Sequence, residues 1–230
     1  MTKISDTKKN YMWHTIKNRC YNAKWQDENG KHYRGHTICK EWLEDMYAFY
    51  DWVDEHYYQI HGVQIDLDHN VIDVHNTVYT PDKCLFVPHD VNVFFEHIEP
   101  GIQIRQLKNG TYSVSVTSKL TDPNYDIVSK LFKECPAETW NDALAQFVVR
   151  KTLLRDLYLD KYYGRIPKDV YDIIATRNIA QINRDKFRYD ESGKVPVYIN
   201  GEGSLVVNYD TGEYWWDKAE EYRAISHRIA

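Results

Sequence analysis

The stretch from residue 63 to residue 97 constrains the local fold most, because two strand patterns and a helix pattern follow one another closely in it. Residues 63–68 alternate apolar and polar side chains, which is typical of a strand. Residues 84–88 form a second short apolar run, and residues 89–97 have the composition of a short helix. The sequence therefore predicts a strand, a loop, a second strand and a helix in that order.

A second group of strand patterns begins after residue 100. Residues 102–107 and 111–117 alternate in hydrophobicity and flank Asn109-Gly110, a dipeptide that favours a tight hairpin turn. A third strand is predicted at 127–133, a long helix at about 138–163 and a short helix at about 168–175. We therefore expect a three-stranded antiparallel sheet packed on a long helix.

The flanking segments complete an α+β prediction. Helical spacing of apolar residues predicts helices at about 8–20 and 40–58, separated by a polar loop at 21–35 and a strand stub at 37–39. The tail suggests a hairpin at 197–199 and 205–209 and a last helix at about 217–229. The predicted organisation is an N-terminal domain over 1–100, a sheet-plus-helix domain over 101–188 and a small acidic appendage over 189–230.

Composition excludes several classes of protein. Aromatic residues make up 14% of the chain, which is too many for a disordered protein, and no apolar run is long enough to span a membrane. The first six residues lack the apolar core of a secretory signal. None of the four cysteines lies in a C-x-x-C pair. A reduced protein of the cytoplasm is therefore expected, with buried free thiols preferred over a zinc site at Cys20, Cys39 and Cys84.

The charge is distributed in blocks although the net charge is only −5. Residues 1–40 carry nine Lys or Arg against three Asp or Glu, and residues 101–188 carry fifteen against ten. Residues 41–100 carry thirteen acidic residues, one Lys and six His. Acidic residues between two basic blocks fit a metal-dependent site that acts on a polyanion, although much of 41–60 also fits a solvated acidic helix.

Asp68 and His69 at the end of the first predicted strand, with Asn92 on the following helix, form the most informative combination of residues. A phosphodiester nuclease needs a base for water and a hard cation at the scissile phosphate. Histidine suits the first role, and Asp and Asn oxygens suit Mg²⁺ or Mn²⁺ in the second. A structural role for a histidine at a strand end is the alternative, and His75 and His89 are further candidates for the base.

At these residues the chain resembles the HNH, or ββα-metal, nucleases of bacteriophages, especially the free-standing homing type. The similar segments are 67–69, 79–88 and Asn92, together with the upstream pattern in 13–22 and 33–42. The resemblance implies a DNA endonuclease in which Asp68 and Asn92 bind the metal and His69 activates water. It also implies a host cytoplasm as the location.

The chain departs from this family at one position. The family uses a middle Asn, placed before the second strand, to orient the catalytic histidine. At the corresponding spacing this chain has Lys83, and Asn76 in the preceding loop is a possible substitute.

The hairpin and helix at 101–176 resemble the three-stranded DNA-binding domain of plant ethylene-response factors, on the pattern in 110–117, the long helix and residues 162–171. Such a sheet lies in the major groove of double-stranded DNA. If the apolar residues Ile102, Ile104, Val114 and Val116 face the helix, the outward side chains are candidates for DNA contacts. These candidates are Gln103, Arg105, Ser113, Ser115 and Thr117, with Lys108 and Lys119 near the strand ends.

The sequence is also compatible with a different class of function, the binding of another protein. The acidic segment 41–100 could bind a basic host protein, so that a disabled nuclease scaffold would act as a phage counter-defence or regulatory protein. This alternative predicts that exposed acids such as Glu44, Asp51 and Glu55 matter more than Asp68.

Overall fold

The computed structural model describes residues 4–116, 120 and 137–187, together with the backbone of three strands in the tail. The fold is mixed α+β, as predicted. The chain divides into two compact units, the first formed by residues 1–96 and 162–176 and the second by residues 97–161 and 177–230. The segment 162–176 thus belongs to the first unit although it follows most of the second in sequence.

The first unit contains six α-helices and four short strands within its described residues. In chain order they are α1 (Asp6–Tyr21), α2 (Ala23–Asn29), β1 (Thr37–Ile38), α3 (Lys40–Glu44), α4 (Met46–His56), β2 (Ile65–Asp68), β3 (Val78–Tyr79), β4 (Leu85–Pro88), α5 (His89–Glu96) and, after the second unit's long helix, α7 (Lys168–Ala175). A 3₁₀ turn at Lys31–Tyr33 lies between α2 and β1.

Side-chain caps explain two differences from the sequence prediction. The segment 21–35 contains helix α2 because the Asn22 side chain accepts a hydrogen bond from the backbone of Trp25 and caps a new helix. The helix predicted at 40–58 is divided into α3 and α4 because Asp45 has an extended backbone and its side chain accepts from the N–H of Tyr47. Both predictions were wrong in detail because a short polar residue restarts the helix.

The core of the first unit is aromatic. Trp42 and Phe49 are fully buried, as their helical spacing predicts, and their ring centroids are 5.0 Å apart. Trp52 and Val53 on α4 extend this buried face, and Phe86 from β4 stacks on Trp52. Packing against β4 therefore fixes the acidic α3–α4 segment on one side of the strand pair.

The strand pairing of the first unit is only partly visible in sequence. β2 and β4 pair antiparallel and are followed by α5, as predicted, but the predicted loop between them also contains the short strand β3. β1 and β3 pair in parallel, with Ile38 opposite Tyr79, and no periodicity in the sequence predicts this pairing.

The second unit contains the hairpin and the long helix. Its described elements are β5 (Ile104–Gln106), β6 (Tyr112–Val114), α6 (Trp140–Tyr162, whose last residue belongs to the first unit), α8 (Ile179–Ile182), β7 (Val197–Ile199), β8 (Gly203–Val207) and β9 (Tyr214–Trp216). The last three strands form an antiparallel sheet in the order β7, β8, β9. The strand predicted at 127–133 and the helix predicted at 217–229 lie outside the described residues.

The predicted hairpin is confirmed. β5 and β6 pair antiparallel across a turn in which Gly110 has a φ of +90°, a conformation that glycine adopts readily. The buried Arg150 of α6 donates to the carbonyl oxygens of Val114 and Val116 at 2.9 and 3.0 Å and thereby fixes the hairpin on the helix. Ile102 was expected to face the helix, but it is 79% exposed because it lies in a 3₁₀ turn before β5.

Candidate active site

The candidate active site lies at the end of β2, where Asp68 is the last strand residue and His69 the next. Asp68 lies opposite Leu85 of β4. Helix α5 begins directly after β4 and contacts both strands. Because β4 continues into α5 without a loop, the side chains of the first turns of α5 lie close to β2.

Asp68 is buried, and it holds the turn that follows β2. Its Oδ1 atom accepts hydrogen bonds from the backbone N–H groups of Asn70 and Val71, both at 2.6 Å. Burial raises the pKa of Asp68 to about 6, and these two hydrogen bonds oppose the shift. Its Oδ2 atom accepts no hydrogen bond from the described residues.

His69 is buried between aromatic rings. Its ring stacks on Tyr79 with 4.3 Å between centroids and meets the ring of His36 edge-on at 5.0 Å. Burial, followed by the charges of His36, Arg19 and His32, lowers the pKa of His69 to about 3. The imidazole is therefore neutral at pH 7, and its Nε2 atom is buried with no hydrogen-bond partner.

Asn76 and Lys83, the two candidates for the orienting position, are in different surroundings. The Asn76 Nδ2 group donates to the carbonyl oxygens of His69 and Val78, both at 2.8 Å. Lys83 is 4.0 Å from a carboxylate oxygen of Asp73 and is partly exposed. Asn76 is therefore the residue whose side chain contacts His69.

Asn92 is directed toward Asp66 by its hydrogen bond. Its Nδ2 group donates to Asp66 Oδ2 at 3.2 Å, and the same oxygen is 2.6 Å from Nδ1 of His89. The hydrogen bonds from Gln64, His89 and Asn92 hold the pKa of Asp66 below its usual value against the opposing effect of burial. Asn92 Oδ1 is buried without a hydrogen-bond partner.

Asp66 is a polar residue of this site that the sequence reasoning missed. The alternation of β2 was the available signal, because a period of two puts Asp66 and Asp68 on the same side of the strand. His89, which the sequence offered only as an alternative base, is half-exposed and bonded to Asp66.

A basic cluster that we call the Arg19–His36 cluster adjoins His69 and was also missed. It comprises Arg19 of α1, Tyr33, His36 and Tyr79 of β3. The Arg19 guanidinium lies 4.9 Å from the centre of the Tyr33 ring and donates to the Tyr79 hydroxyl at 3.3 Å. Arg19 was recognisable in sequence only as one charge of a basic helix.

In the second unit, the candidate DNA-contacting residues differ in exposure. Arg105 and Ser113 lie opposite each other on β5 and β6, and both are exposed, as are Ser115 and Lys108. Gln103 is half-buried and donates to the backbone of His97 at 3.2 Å. Thr117 and Lys119 lie outside the described residues.

The side chains present at the site determine which metal ions it could bind. Among the described residues, no group of three or more His, Cys, Asp and Glu side chains is arranged to hold a metal ion. Cys20, Cys39 and Cys84 are free thiols, and burial raises the pKa of each, that of Cys20 to about 12. Asn92 Oδ1, which is buried without a hydrogen-bond partner, and the Asp68 carboxylate supply oxygen ligands, the type that a hard cation such as Mg²⁺ or Mn²⁺ prefers.

Comparisons of the chain with protein-family models, curated proteins and solved structures gave no significant match. Within the described part of the chain, no helix combines the length and apolar character that a membrane span requires.

Proposed function

We propose that this chain is a divalent-metal-dependent DNA endonuclease that hydrolyses phosphodiester bonds. The observation that carries the proposal is the neutral, buried imidazole of His69 directly beside Asp68, with its backbone held by Asn76. The strand, strand, helix order of β2, β4 and α5 supports the proposal because HNH nucleases build their active sites on this order. The resemblance selects Asp68, His69 and Asn92, and the structure bonds the Asn92 amide to Asp66 of the same strand.

His69 is the proton acceptor in this proposal. A hydrolytic nuclease must remove a proton from the attacking water, and only a neutral imidazole can accept it. The lowered pKa keeps His69 neutral and also makes its ring a weaker base than a free imidazole. Nε2 of His69 is the ring nitrogen that lacks a hydrogen-bond partner. The stacked ring of Tyr79 and the hydrogen bond from Asn76 to the His69 carbonyl restrict the orientation of the imidazole.

Asp68 and Asn92 are the residues that would hold Mg²⁺ or Mn²⁺. When bound, such an ion stabilises the negative charge that develops on the phosphate and on the leaving oxygen. The pKa of Asp68, raised to about 6, leaves its carboxylate ionised at neutral pH. Asp66 assists by binding the amide of Asn92, which fixes the side chain of that residue.

The second unit supplies DNA binding in this proposal. The exposed side chains of Arg105, Ser113 and Ser115 suit hydrogen bonding to a major groove. Lys108 at the hairpin turn suits a phosphate contact.

Plasmid cleavage by the full chain tests the proposal. Cleavage is expected with Mg²⁺ or Mn²⁺ and is expected to stop with EDTA. His69→Ala should lower the rate by about a hundredfold or more, because it removes the base. His61→Ala is the matched control, since His61 is exposed and lies in the turn that precedes β2. Absence of cleavage in any divalent ion would reject the nuclease, and undiminished cleavage by His69→Ala would reject the base.

The exposed acids of α3 and α4 favour a second candidate function. Glu44, Asp51 and Glu55 are exposed, and they are accompanied by the exposed apolar residues Leu43 and Tyr47. Such a surface suits a basic protein partner, as in a phage protein that regulates a host protein in the bacterial cytoplasm.

One triple variant separates the two functions. In an endonuclease, changing Glu44, Asp51 and Glu55 to their amides should leave plasmid cleavage unchanged or increase it through weaker repulsion of phosphate. In a protein that docks a basic partner, the same change should slow partner binding and reduce its salt dependence, while Asp68→Ala should have little effect.

A further inference from the structure

The Arg19–His36 cluster contains polar atoms that the fold leaves without partners. Nε of Arg19 and Nδ1 of His36 are both buried and form no hydrogen bond, and the neighbouring Nε2 of His69 is in the same condition. These three nitrogens come from α1, from the loop before β1 and from the residue after β2. Buried polar groups in folded proteins normally form hydrogen bonds. Two unpaired nitrogens in the cluster and a third beside it therefore indicate a site that binds a ligand.

The hydrogen-bonding groups of the cluster indicate the chemical class of this ligand. A guanidinium N–H group can only donate, and it is charged at every physiological pH. It therefore needs an acceptor, and an anion suits it better than a neutral group. Nδ1 of His36 is a second possible hydrogen-bond donor. The exposed His32, whose ring centroid is 4.2 Å from that of Tyr33, lies on the solvent side of the cluster.

The side chains of the cluster contact one another, and several of them are partly exposed. The guanidinium of Arg19 is fixed by the Tyr79 hydroxyl and by the face of Tyr33. The rings of Tyr33 and His36 meet edge-on at 5.4 Å, and both residues are half-buried. Arg19 and His36 are thus partly exposed as residues, while the Nε and Nδ1 atoms that would receive an anion are buried. The carboxylates whose charges act on the cluster are Asp68 and Glu96, and both raise the pKa of Tyr33.

We propose that Arg19 and His36 form a binding site for one phosphate group and hold it beside the imidazole of His69. The 5.0 Å between the rings of His36 and His69 puts the bound phosphate next to the nitrogen that accepts a proton in the proposed reaction. The identification of this phosphate as a DNA phosphodiester rests on the proposed function. The anion site itself does not, because its donors bind any phosphate oxygen.

Inorganic phosphate is the first probe, with the full chain in EDTA. The ring signals of His36 and His69 in an NMR titration should shift with phosphate and should not shift with chloride at equal ionic strength. A deoxydinucleotide with one internal phosphodiester should shift the same signals if the ligand is the substrate. Shifts with inorganic phosphate alone would keep the anion site and overturn its assignment to DNA.

Arg19→Lys tests the site and keeps the charge. Phosphate affinity should fall about tenfold, because an ammonium cannot reproduce the planar donors of the guanidinium. Arg34→Gln is the matched control, since Arg34 is exposed and pairs with Asp27, and it should leave affinity unchanged. Thermal unfolding of each variant shows whether it is folded. If Arg19→Lys does not fold, the NMR titration of the wild type with phosphate still tests the site.

The outcomes separate this inference from the nuclease proposal. Phosphate binding that needs Arg19, without cleavage in any divalent ion, would reject the nuclease and retain the anion site. Normal cleavage with an unchanged KM in Arg19→Lys, together with unshifted histidine signals in the wild type, would reject the anion site and retain the nuclease.

Discussion

The buried imidazole of His69 predicts a pH-dependent stability that can be isolated by one substitution. In the folded chain its pKa is lowered to about 3, whereas an unfolded histidine has a pKa of about 6.5. The unfolded state therefore binds more protons below pH 6.5, and stability falls as the pH is lowered through that value. His69→Phe removes the titratable group and keeps a ring that can stack on Tyr79.

The magnitude follows from these two pKa values. At pH 5.0 the unfolded histidine is protonated and the folded one is not, which costs about 2 kcal/mol relative to pH 7.5. Asp68 acts in the opposite direction, because its pKa is raised to about 6 in the folded state. Its uptake of a proton stabilises the folded chain by about 1 kcal/mol over the same interval. The contributions of His69 and Asp68 therefore oppose each other in the wild type.

Urea unfolding in EDTA, followed by tryptophan fluorescence at pH 7.5 and pH 5.0, measures the effect. The wild type should lose about 2 kcal/mol more than His69→Phe between the two pH values, because Asp68 contributes equally to both proteins. Parallel pH dependence of the two proteins, within about 0.5 kcal/mol, would show that His69 is not held neutral in the folded state.

Three further substitutions test other parts of the structure. Asn76→Ala should lower stability by about 1–3 kcal/mol in urea unfolding, since it leaves the carbonyl groups of His69 and Val78 unpaired. It should also slow plasmid cleavage, and a variant with full stability and activity would contradict the orienting role. Phe86→Ala should cost about 3–5 kcal/mol, because the ring is 1% exposed and stacks on Trp52. A loss below about 1 kcal/mol would contradict this packing. Lys108→Ala should reduce the salt dependence of duplex DNA binding by about one unit in the log–log slope, and an unchanged slope would exclude a phosphate contact.

The elements that depend on local pattern were predictable from sequence. The alternation in 63–68 and the run in 84–88 predict β2 and β4, and Asn109-Gly110 predicts the hairpin turn. The helix predicted at about 138–163 is α6, Trp140–Tyr162. The break between α3 and α4 was missed because the apolar spacing continues across Asp45, and only its capping hydrogen bond separates the two helices.

The surroundings of the candidate site were predictable only in part, because several of its contacts join residues distant in sequence. Asp68, His69 and Asn92 could be selected by residue type and spacing, but the hydrogen bond of Asn92 goes to Asp66, which lies 26 positions earlier in the chain. An amide can bond to either carboxylate of β2, so spacing alone does not decide between them.

The two-residue pairing of β1 with β3 lies beside His69. The N–H of Thr37 donates to Thr77 and that of Cys39 to Tyr79, both at 2.9 Å, which holds the loop containing His36 against β3. His69 stacks on Tyr79 of the same strand, so this short pairing brings two histidine rings together and supplies part of the burial that lowers the pKa of His69. A segment of two residues has no hydrophobic period, which is why sequence alone could not give the protonation state of the proposed base.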